Sequence, residues 1–367
     1  MSSSLLYSPV IGIVAKLSGV LASPFLSAPL LLSTTYYPDA VRDVLASVSA
    51  HLPEVLSTRL SLPALLDSPG FLTGLKILVA LGVVNKLNQA LNSAAHNSWR
   101  LGSARGWNAW SDEIAVVTGG SSGIGLDIVQ RLASMGVRVA IFDIADPPKE
   151  TQANARVTFY NCDVTSADSV AAAADAVKRD LGHPTILINN AGIANPTPIL
   201  KTSVPFLHKI MGVNLMSMWY TTQQFLPSMI QNNKGHIVTV ASIASFVALA
   251  TAAPYSATKA GALAFHESLA AEIKHQYKAP SVLTTVVHPN FVRTPLVADF
   301  SGRLENAGVR MMTADVVAKA VVKQITSKRG GQLIIPDSVT GVSGIRGWPT
   351  WLQEVIRDSI ARGAAKP

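Results

Sequence analysis

The most informative stretch of this chain is Glu113-Ile-Ala-Val-Val-Thr-Gly-Gly-Ser-Ser-Gly-Ile-Gly125. Its first five residues are an apolar run that predicts a buried strand, and an apolar helical pattern at 126–135 follows the glycines. Glycines let the backbone turn tightly and approach a pyrophosphate, which then meets the N–H groups of the helix N-terminus. The stretch therefore predicts a dinucleotide-binding loop. Its spacing, Gly119, Gly123 and Gly125, differs from the common GxGxxG, and a glycine-rich turn alone is often only a turn.

Further strand-like apolar runs follow this loop and alternate with helical stretches. They cover residues 137–142, 157–160, 185–188, 236–240, 283–287 and 332–335. Such alternation is typical of a parallel sheet with helices on both faces. We therefore predict an α/β fold with a doubly wound parallel sheet at 111–340. A hydrophobic region at 1–110 precedes it, and an amphipathic tail at 341–367 follows it.

A carboxylate, Asp143, ends the second predicted strand. At this place a carboxylate accepts hydrogen bonds from the adenine ribose hydroxyls and repels the additional phosphate of NADP. The residue after the last loop glycine is Leu126 rather than a basic side chain. Both features favour NAD as the cofactor and leave NADP open. The alternative is that Asp143 is only a solvent-exposed turn residue.

The first 110 residues hold two apolar runs. Residues 10–32 contain Lys16, Pro24 and Pro29, so insertion of this run across a bilayer is marginal. Residues 71–84 carry a single charge, Lys76, near their start. We predict that this region attaches the chain to a membrane, either by spanning it or by lying on its surface. The alternative is a buried helical hairpin packed on the following domain.

The charges around the second apolar run are asymmetric. Asp67 precedes it, whereas Lys86, Arg100 and Arg105 follow it. The positive-inside rule then places the C-terminal domain in the cytosol. Such an orientation is compatible with the endoplasmic reticulum or with lipid droplets.

The overall composition excludes several classes of protein. With 49% hydrophobic and 14% charged residues, the 367-residue chain is too apolar to be disordered. Its net charge of +8 is scattered rather than clustered, so we do not expect nucleic-acid binding. A single cysteine, Cys162, excludes an intrachain disulfide and favours a cytosol-facing domain. No metal site is expected.

A tyrosine and a lysine, Tyr255 and Lys259, lie four residues apart, so they share one helix face. Tyrosine has a pKa near 10, and a nearby ammonium stabilises the phenolate and lowers this pKa toward neutrality. Ser242 lies thirteen residues before Tyr255 and directly after a predicted strand. At this place its hydroxyl is able to bind a substrate oxygen. Ser245 competes with Ser242 for this role.

In their order and spacing, these motifs resemble the short-chain dehydrogenase/reductase family over residues 112 to about 340. The motifs that carry the resemblance are Thr118–Gly125, Asn189-Asn-Ala-Gly192, Asn214, Ser242, Tyr255 and Lys259. The resemblance implies a Rossmann fold and hydride transfer between an alcohol and a ketone or aldehyde. It implies that Tyr255 exchanges a proton with the substrate oxygen while Ser242 orients that oxygen. Lys259 would lower the pKa of Tyr255 and bind the nicotinamide ribose, and Asn214 would complete the proton relay.

The resemblance also implies which residues bind the cofactor. They are Gly119, Ser121, Gly123, Ile124, Gly125, Asp143, Asp163, Asn190, Tyr255, Lys259, Val292 and Thr294. Asp163 resembles the residue that contacts adenine. The segment Pro289-Asn-Phe-Val-Arg-Thr294 has Asn290 where the family has glycine. Asparagine tolerates a left-handed backbone, so we expect this turn to survive.

The predicted substrate side is apolar. Residues 294–312 are expected to form a mobile lid that carries Leu296, Val297, Phe300, Val309, Met311 and Met312. The strip at 245–253 is expected to face the same pocket. Together with the apolar N-terminal region, these residues favour a lipophilic substrate such as a retinoid, a steroid, another lipid or a secondary metabolite. The layout resembles membrane-bound retinol and 17β-hydroxysteroid dehydrogenases.

Two other functions stay open on the same fold. A non-catalytic dinucleotide sensor would keep the glycine loop and lose the tyrosine or the lysine. An epimerase or dehydratase would usually have another glycine spacing and a longer C-terminal substrate domain. We also expect the chain to form a homo-oligomer.

The C-terminal tail is amphipathic. One helix face carries Trp351, Leu352, Val355, Ile356 and Ile360. This face is expected to contact the membrane, a partner subunit or the chain's own domain.

Overall fold

The computed structural model describes residues 23–51, 68–306 and 308–364, and the chain divides into two units between Ser93 and Ala94. The first unit holds helices α1 (Pro24–Tyr36) and α2 (Pro38–Ala50), together with most of α3 (Pro69–His96). By length and composition, α3 is able to cross a membrane over Gly70–His96. The predicted apolar helical segment is thus confirmed for α3. The first part of the apolar run at 10–32 lies outside the described residues.

The second unit is built on a parallel sheet of seven strands in the order β3-β2-β1-β4-β5-β6-β9. The strands are β1 (Ile114–Thr118), β2 (Arg138–Asp143), β3 (Val157–Asn161), β4 (Ile186–Asn189), β5 (Gly235–Val240), β6 (Val282–Pro289) and β9 (Gly331–Ile335). Two short strands, β7 (Val292–Arg293) and β8 (Met312–Thr313), pair separately. The predicted doubly wound parallel sheet is confirmed.

Helices lie between these strands and after the last of them. They are α4 (Gly123–Ser134), α5 (Lys149–Gln152), α6 (Ala167–Asp180), α7 (Val204–Met211), α8 (Ser217–Gln231), α9 (Ala253–Ala271), α10 (Ser301–Asn306), α11 (Ala314–Thr326) and α12 (Thr350–Ala364). A π-helical turn at Gly212–Met216 joins α7 to α8, and 3₁₀ turns cover Ile243–Ser245, Pro295–Phe300 and Asp337–Gly347. α4 begins three residues before the predicted start because two of the loop glycines form its first turn.

The hydrophobic core lies on both faces of the sheet. Alternate residues of a strand point to opposite faces, so Ala115 and Val117 pack in one cluster with α4 and α11. Val116 packs in the other cluster, with α6, α8 and α9. All five residues of β1 are buried. Burial on both sides explains why the strands are continuous apolar runs rather than alternating ones.

The strand order creates a crevice between β1 and β4. The chain moves outward from β1 through β2 to β3 and then returns to the other side of β1 to form β4. In open parallel sheets, ligands bind at the carboxyl ends of the strands at such a reversal. Thr118 and Asn189 end these two strands, so the loops that follow them form the crevice walls.

A buried ion pair lies at the amino ends of the central strands, opposite the crevice. Glu113, just before β1, is 1% exposed, and its Oε1 lies 2.7 Å from Nζ of Lys234, just before β5. Its Oε2 accepts a hydrogen bond of 2.6 Å from the hydroxyl of Thr185, just before β4. One carboxylate therefore joins the starts of three central strands.

Replacing Lys234 by methionine is expected to destabilise the protein by about 3–5 kcal/mol, because the Glu113 carboxylate stays buried without its cation. Lys178→Met is the matched control, since its partner Asp175 is 74% exposed. Such a surface pair contributes at most about 1 kcal/mol. Urea unfolding of both full-length variants measures the difference. Equal losses in the two variants would show that the buried pair has no special role.

Candidate active site

The glycine loop after β1 is packed too closely for side chains. Gly119 and Gly123 have φ angles of +64° and +54°, in the left-handed region that glycine adopts readily. A Cβ at Gly119 would lie 2.9 Å from the Cα of Ala191, and one at Gly125 would collide with the carbonyl oxygen of Gly119. The spacing of the three glycines therefore follows from the close approach of the loop, the next helix and the turn after β4.

Hydrogen bonds join this loop to the turn after β4. The Asn190 amide donates to the carbonyl oxygens of Thr118 and Gly119, at 2.9 and 3.0 Å. In return, the Thr118 hydroxyl oxygen accepts the backbone N–H groups of Asn190 and Ala191, both at 3.0 Å. These four bonds hold the two walls of the crevice together.

Asp143 and Ser121 hold the loop against the end of β2. The Asp143 carboxylate accepts the N–H groups of Ser121 and Ala145, at 3.1 and 3.2 Å. The Ser121 hydroxyl donates to the carbonyl oxygen of Ala145 at 2.6 Å. Asp143 thus organises this turn, but it is half-buried and borders the crevice, so it is not only a solvent-exposed turn residue.

A cavity of about 1110 Å³ lies at the carboxyl edge of the sheet. Of the predicted cofactor-binding residues, it is lined by Gly119, Gly123, Ile124, Asp143, Asp163, Asn190, Tyr255, Lys259, Val292 and Thr294. Ser121 and Gly125 lie behind this wall. The sequence interpretation missed Ser122, Ile144 and Thr165, which also line the cavity. Each is close in sequence to a predicted residue, and that adjacency was the available signal.

Tyr255 and Lys259 face each other at the start of α9. The helix begins at Ala253, and Lys259 lies one turn after Tyr255. The Lys259 side chain is 3% exposed. Its Nζ donates to the carbonyl oxygen of Val240 at 2.9 Å and lies 5.7 Å from the centre of the Tyr255 ring.

Burial controls the ionisation of this pair. Burial raises the pKa of Tyr255, and a side-chain hydrogen bond with Ser242 opposes that shift. Burial lowers the pKa of Lys259 to about 8. The net direction for Tyr255 is opposite to the one expected from Lys259 alone, because removing the phenol from water disfavours its charged form.

The structure distinguishes the two candidate serines. The Ser242 hydroxyl oxygen accepts the N–H of Ala244 at 3.1 Å, lies 3.5 Å from the carbonyl oxygen of Pro289, and borders the cavity. Ser245 is 2% exposed, and its hydroxyl donates to the carbonyl oxygen of Lys259 at 2.8 Å. Of the two serines, Ser242 is therefore the one that borders the cavity.

Asn214 lies in the π-helical turn behind the cavity wall. Its Oδ1 accepts the N–H of Ile193 at 2.8 Å, and its Nδ2 donates to the Ile193 carbonyl oxygen at 3.0 Å and to the Thr258 hydroxyl at 3.3 Å. These bonds join α9 to the segment after the Asn190 turn. π-Helical turns are frequent at functional sites.

The turn after β6 differs from the expectation for Asn290. Its φ angle is not in the left-handed region, and its N–H donates to the carbonyl oxygen of Ile335 at 2.8 Å. The turn therefore continues the β6–β9 pairing and does not require a glycine-like backbone. Beyond it, Thr294 approaches the loop, since a Cβ at Gly123 would lie 3.1 Å from its methyl group.

The remaining cavity wall is mainly apolar. It contains Val247, Leu249, Leu296, Val297, Phe300, Leu304, Val309, Val339, Val342, Ile356 and Ile360. Four of the six apolar residues predicted for the lid line the cavity, namely Leu296, Val297, Phe300 and Val309. Met311 and Met312 do not line it. Met312 forms part of β8 and packs against the core instead.

The C-terminal helix packs on its own domain, one of the three predicted possibilities. Ile356 and Ile360 contact the cluster around Phe246 and line the cavity. Trp351 and Val355 are 68% and 56% exposed. The predicted apolar face is therefore divided, with one part covering the cavity and the other facing solvent.

Comparison with protein families finds a match to the short chain dehydrogenases over residues 113–304. The chain is 39% identical over 210 residues to Dehydrogenase RED2 of Cochliobolus heterostrophus, covering 57% of this chain and 78% of that protein. It is 31% identical over 233 residues to estradiol 17-beta-dehydrogenase 11 of Homo sapiens, covering 62% and 76%.

A solved structure has the same fold. The ligand-free aldohexose dehydrogenase of Thermoplasma acidophilum superposes with a TM-score of 0.53 at 25% identity. The match covers 63% of this chain and 94% of that chain.

Proposed function

Because the chain belongs to the short-chain dehydrogenase family, we propose that it interconverts an alcohol and a ketone or aldehyde on a lipophilic substrate. The observation that carries this proposal is that Ser242, Tyr255 and Lys259 border one cavity together with the glycine loop. A proton donor, a hydroxyl that orients an oxygen and a buried cation are the groups that carbonyl reduction requires.

The cavity residues fit a nicotinamide dinucleotide. Gly119 and Gly123 have no side chains that would block a close approach of the cofactor, and both line the cavity. Gly123 and Ile124 belong to the first turn of α4, so the helix N-terminus borders the cavity, and its free N–H groups suit a pyrophosphate. Asp143 and Asp163 border the part of the cavity beside β2 and β3, where the adenosine half would lie. When bound, the cofactor supplies the hydride acceptor for oxidation or the hydride donor for reduction.

The protein's own contribution is to hold the substrate oxygen and to move one proton. Because its pKa is raised, Tyr255 keeps its proton at neutral pH and donates it to the oxygen of a ketone. The Ser242 hydroxyl donates a hydrogen bond that stabilises the developing negative charge on that oxygen. The Lys259 ammonium then stabilises the phenolate that remains.

Tyr255→Phe is expected to lower turnover of a ketone by about 10²–10⁴-fold, because it removes the proton donor and keeps the ring. Binding of NADH, followed by its fluorescence, should be unchanged. Tyr277→Phe is the matched control, since Tyr277 is 42% exposed and lies outside the cavity. Turnover by Tyr255→Phe at the wild-type rate would refute the assigned chemistry.

Asp143 supports a preference for NAD. Its carboxylate borders the cavity at the end of β2, where it would repel the additional phosphate of NADP. The two backbone bonds that it accepts hold it in this place.

The wild-type protein is expected to have a higher kcat/KM for NADH than for NADPH. Asp143→Asn should narrow the difference, because it removes the charge and keeps one of the two oxygens that accept the N–H groups of Ser121 and Ala145. Asp146→Asn, in an exposed neighbouring carboxylate, should leave the ratio unchanged. Steady-state kinetics with both cofactors tests this, and a wild-type preference for NADPH would contradict it.

The apolar wall supports a lipophilic substrate. Several separate segments contribute to this wall. The segment before α9 contributes Leu249, and the 3₁₀ turn at Pro295–Phe300 contributes Leu296 and Phe300. The C-terminal segment contributes Val339 and Ile356. Apolar side chains on several elements bury a large apolar molecule without leaving polar groups unpaired.

Ile356→Trp is expected to lower kcat/KM for a bulky lipophilic ketone by about 10–100-fold relative to a short ketone, because the larger ring fills the cavity. Val355→Trp is the matched control, since Val355 is 56% exposed on the same helix. NADH binding should be equal in both variants. A parallel loss with both ketones, or an equal loss in both variants, would argue against a substrate wall at Ile356.

The exposed apolar surface of α3 supports membrane attachment. Ile77, Leu81 and Val84 are each more than half exposed, and the helix is long enough to cross a bilayer. Lys86 and Arg100 follow its most apolar part, and this supports a cytosolic catalytic unit.

The catalytic unit includes residues before the glycine-loop domain. The Asn97 amide donates to the carbonyl oxygens of Arg100 and Gly102, at 2.7 and 2.9 Å, and its Oδ1 accepts the N–H of Gly330 at 3.2 Å. The N–H of Ala104 donates to the carbonyl oxygen of Lys328 at 2.8 Å. A truncation should therefore keep these residues.

We expect the full-length protein in the membrane fraction. We expect the truncated protein of residues 94–367 in the soluble fraction, with its NADH turnover retained. Residues 106–367 should unfold at lower denaturant concentration, because they lack the Asn97 and Ala104 contacts. Fractionation, unfolding and protease treatment of intact vesicles test these expectations. A wholly soluble full-length protein would exclude the anchor, and protection of the catalytic unit inside vesicles would reverse the orientation.

A further inference from the structure

A buried histidine, His288, lies at the end of β6 with both ring nitrogens in hydrogen bonds. It is 0% exposed. Its Nδ1 is 3.0 Å from the carbonyl oxygen of Ser242, and its Nε2 is 3.2 Å from the side-chain nitrogen of Gln332 on β9. By contrast, His236 and His266, two other buried histidines of the described chain, have no partner at Nδ1.

These partners determine the protonation of the ring. The amide nitrogen of Gln332 is a donor only, so Nε2 of His288 accepts. The hydrogen therefore lies on Nδ1, which donates to the Ser242 carbonyl oxygen. Burial lowers the pKa of His288 to about 4, the hydrogen bond to the Ser242 backbone opposes this shift, and the charge of Lys259 adds to it. The ring is neutral at working pH, and its donor is fixed on the side of Ser242.

The same part of β6 also contacts the Ser242 hydroxyl. The carbonyl oxygen of Pro289, the next residue, lies 3.5 Å from Ser242 Oγ. His288 and Pro289 therefore contact the backbone and the side chain of one serine. The Phe246 ring packs on the imidazole at 4.5 Å between ring centres and limits its movement.

We propose that His288 is a positioning residue that, with Gln332 behind it, holds Ser242 so that its hydroxyl points at Tyr255 and the substrate oxygen. This inference rests on the proposed function. Ser242 is the N-cap of the 3₁₀ turn at Ile243–Ser245, and its backbone orientation sets the direction of its hydroxyl. A displacement of about 1 Å in a catalytic group costs on the order of 10²-fold in rate.

The first test compares His288→Leu with His288→Asn, whose amide places a donor near the position of Nδ1. His288→Leu is expected to lower kcat by about 10–100-fold with the KM for NADH unchanged, and His288→Asn should recover most of the loss. His266→Leu is the matched control, since His266 is buried but contacts neither Ser242 nor Tyr255 through a hydrogen bond. Wild-type kcat in His288→Leu would overturn the proposal, and so would equal losses in the leucine and asparagine variants.

The second test does not depend on turnover. The Ser242 hydrogen bond lowers the pKa of Tyr255, so a misplaced Ser242 raises it. The phenol is titrated by near-ultraviolet absorbance, as the difference between each protein and its Tyr255→Phe derivative. His288→Leu should raise this pKa in the same direction as Ser242→Ala, and His266→Leu should not change it. An unchanged pKa in His288→Leu would overturn the positioning role, whereas absent turnover in the wild type would overturn only the proposed function.

Discussion

The hydrogen bonds between Thr118 and the Asn190 turn are the constraint on which the rest of the site depends. They fix the ends of β1 and β4 at the reversal of the strand order. The turn after β4 approaches so closely that a side chain at Gly119 or Gly125 would collide with it or with the loop itself. This close packing leaves the crevice open at the carboxyl edge, and α4 starts directly beside it.

Burial is the second organising effect, and it acts on the chemistry rather than on the fold. Lys259 is almost fully buried, and its ammonium group donates a hydrogen bond to the carbonyl oxygen of Val240. The same ammonium group lies beside the Tyr255 ring. Burial raises the pKa of Tyr255 and lowers the pKa of Lys259 to about 8, so the two groups titrate farther apart than they do in water, and Lys259 loses its proton before Tyr255 does. Ser242 opposes the shift on Tyr255, and its placement by β6 therefore matters to the acid–base behaviour of the site.

Much of this arrangement could be predicted from the sequence. The first and last residues of every strand in the main sheet lie within two residues of the bounds predicted from an apolar run. This agreement arises because strands buried on both faces need continuous apolar residues. Tyr255 and Lys259 followed from helical spacing. The residues alone left Ser245 as a competitor, and only the family resemblance implied Ser242, because the distinction depends on a 3₁₀ turn. That turn places Ser242 at the cavity and directs the Ser245 hydroxyl to a backbone carbonyl oxygen. The role of His288 depends on β6–β9 pairing, which has no local signal. The division of the apolar face of α12 also could not be predicted, because it depends on the packing of Ile356 and Ile360 against the cluster around Phe246.

The central claim is that this cavity transfers a hydride between a nicotinamide cofactor and a lipophilic carbonyl compound. The most direct measurement is the reduction of a lipophilic ketone with NADH that carries deuterium at the transferring position, followed by mass spectrometry of the product. We expect one deuterium on the carbinol carbon and none from solvent at that carbon. Product without cofactor-derived deuterium, or no product from any lipophilic ketone at a protein concentration that binds NADH fully, would contradict this account.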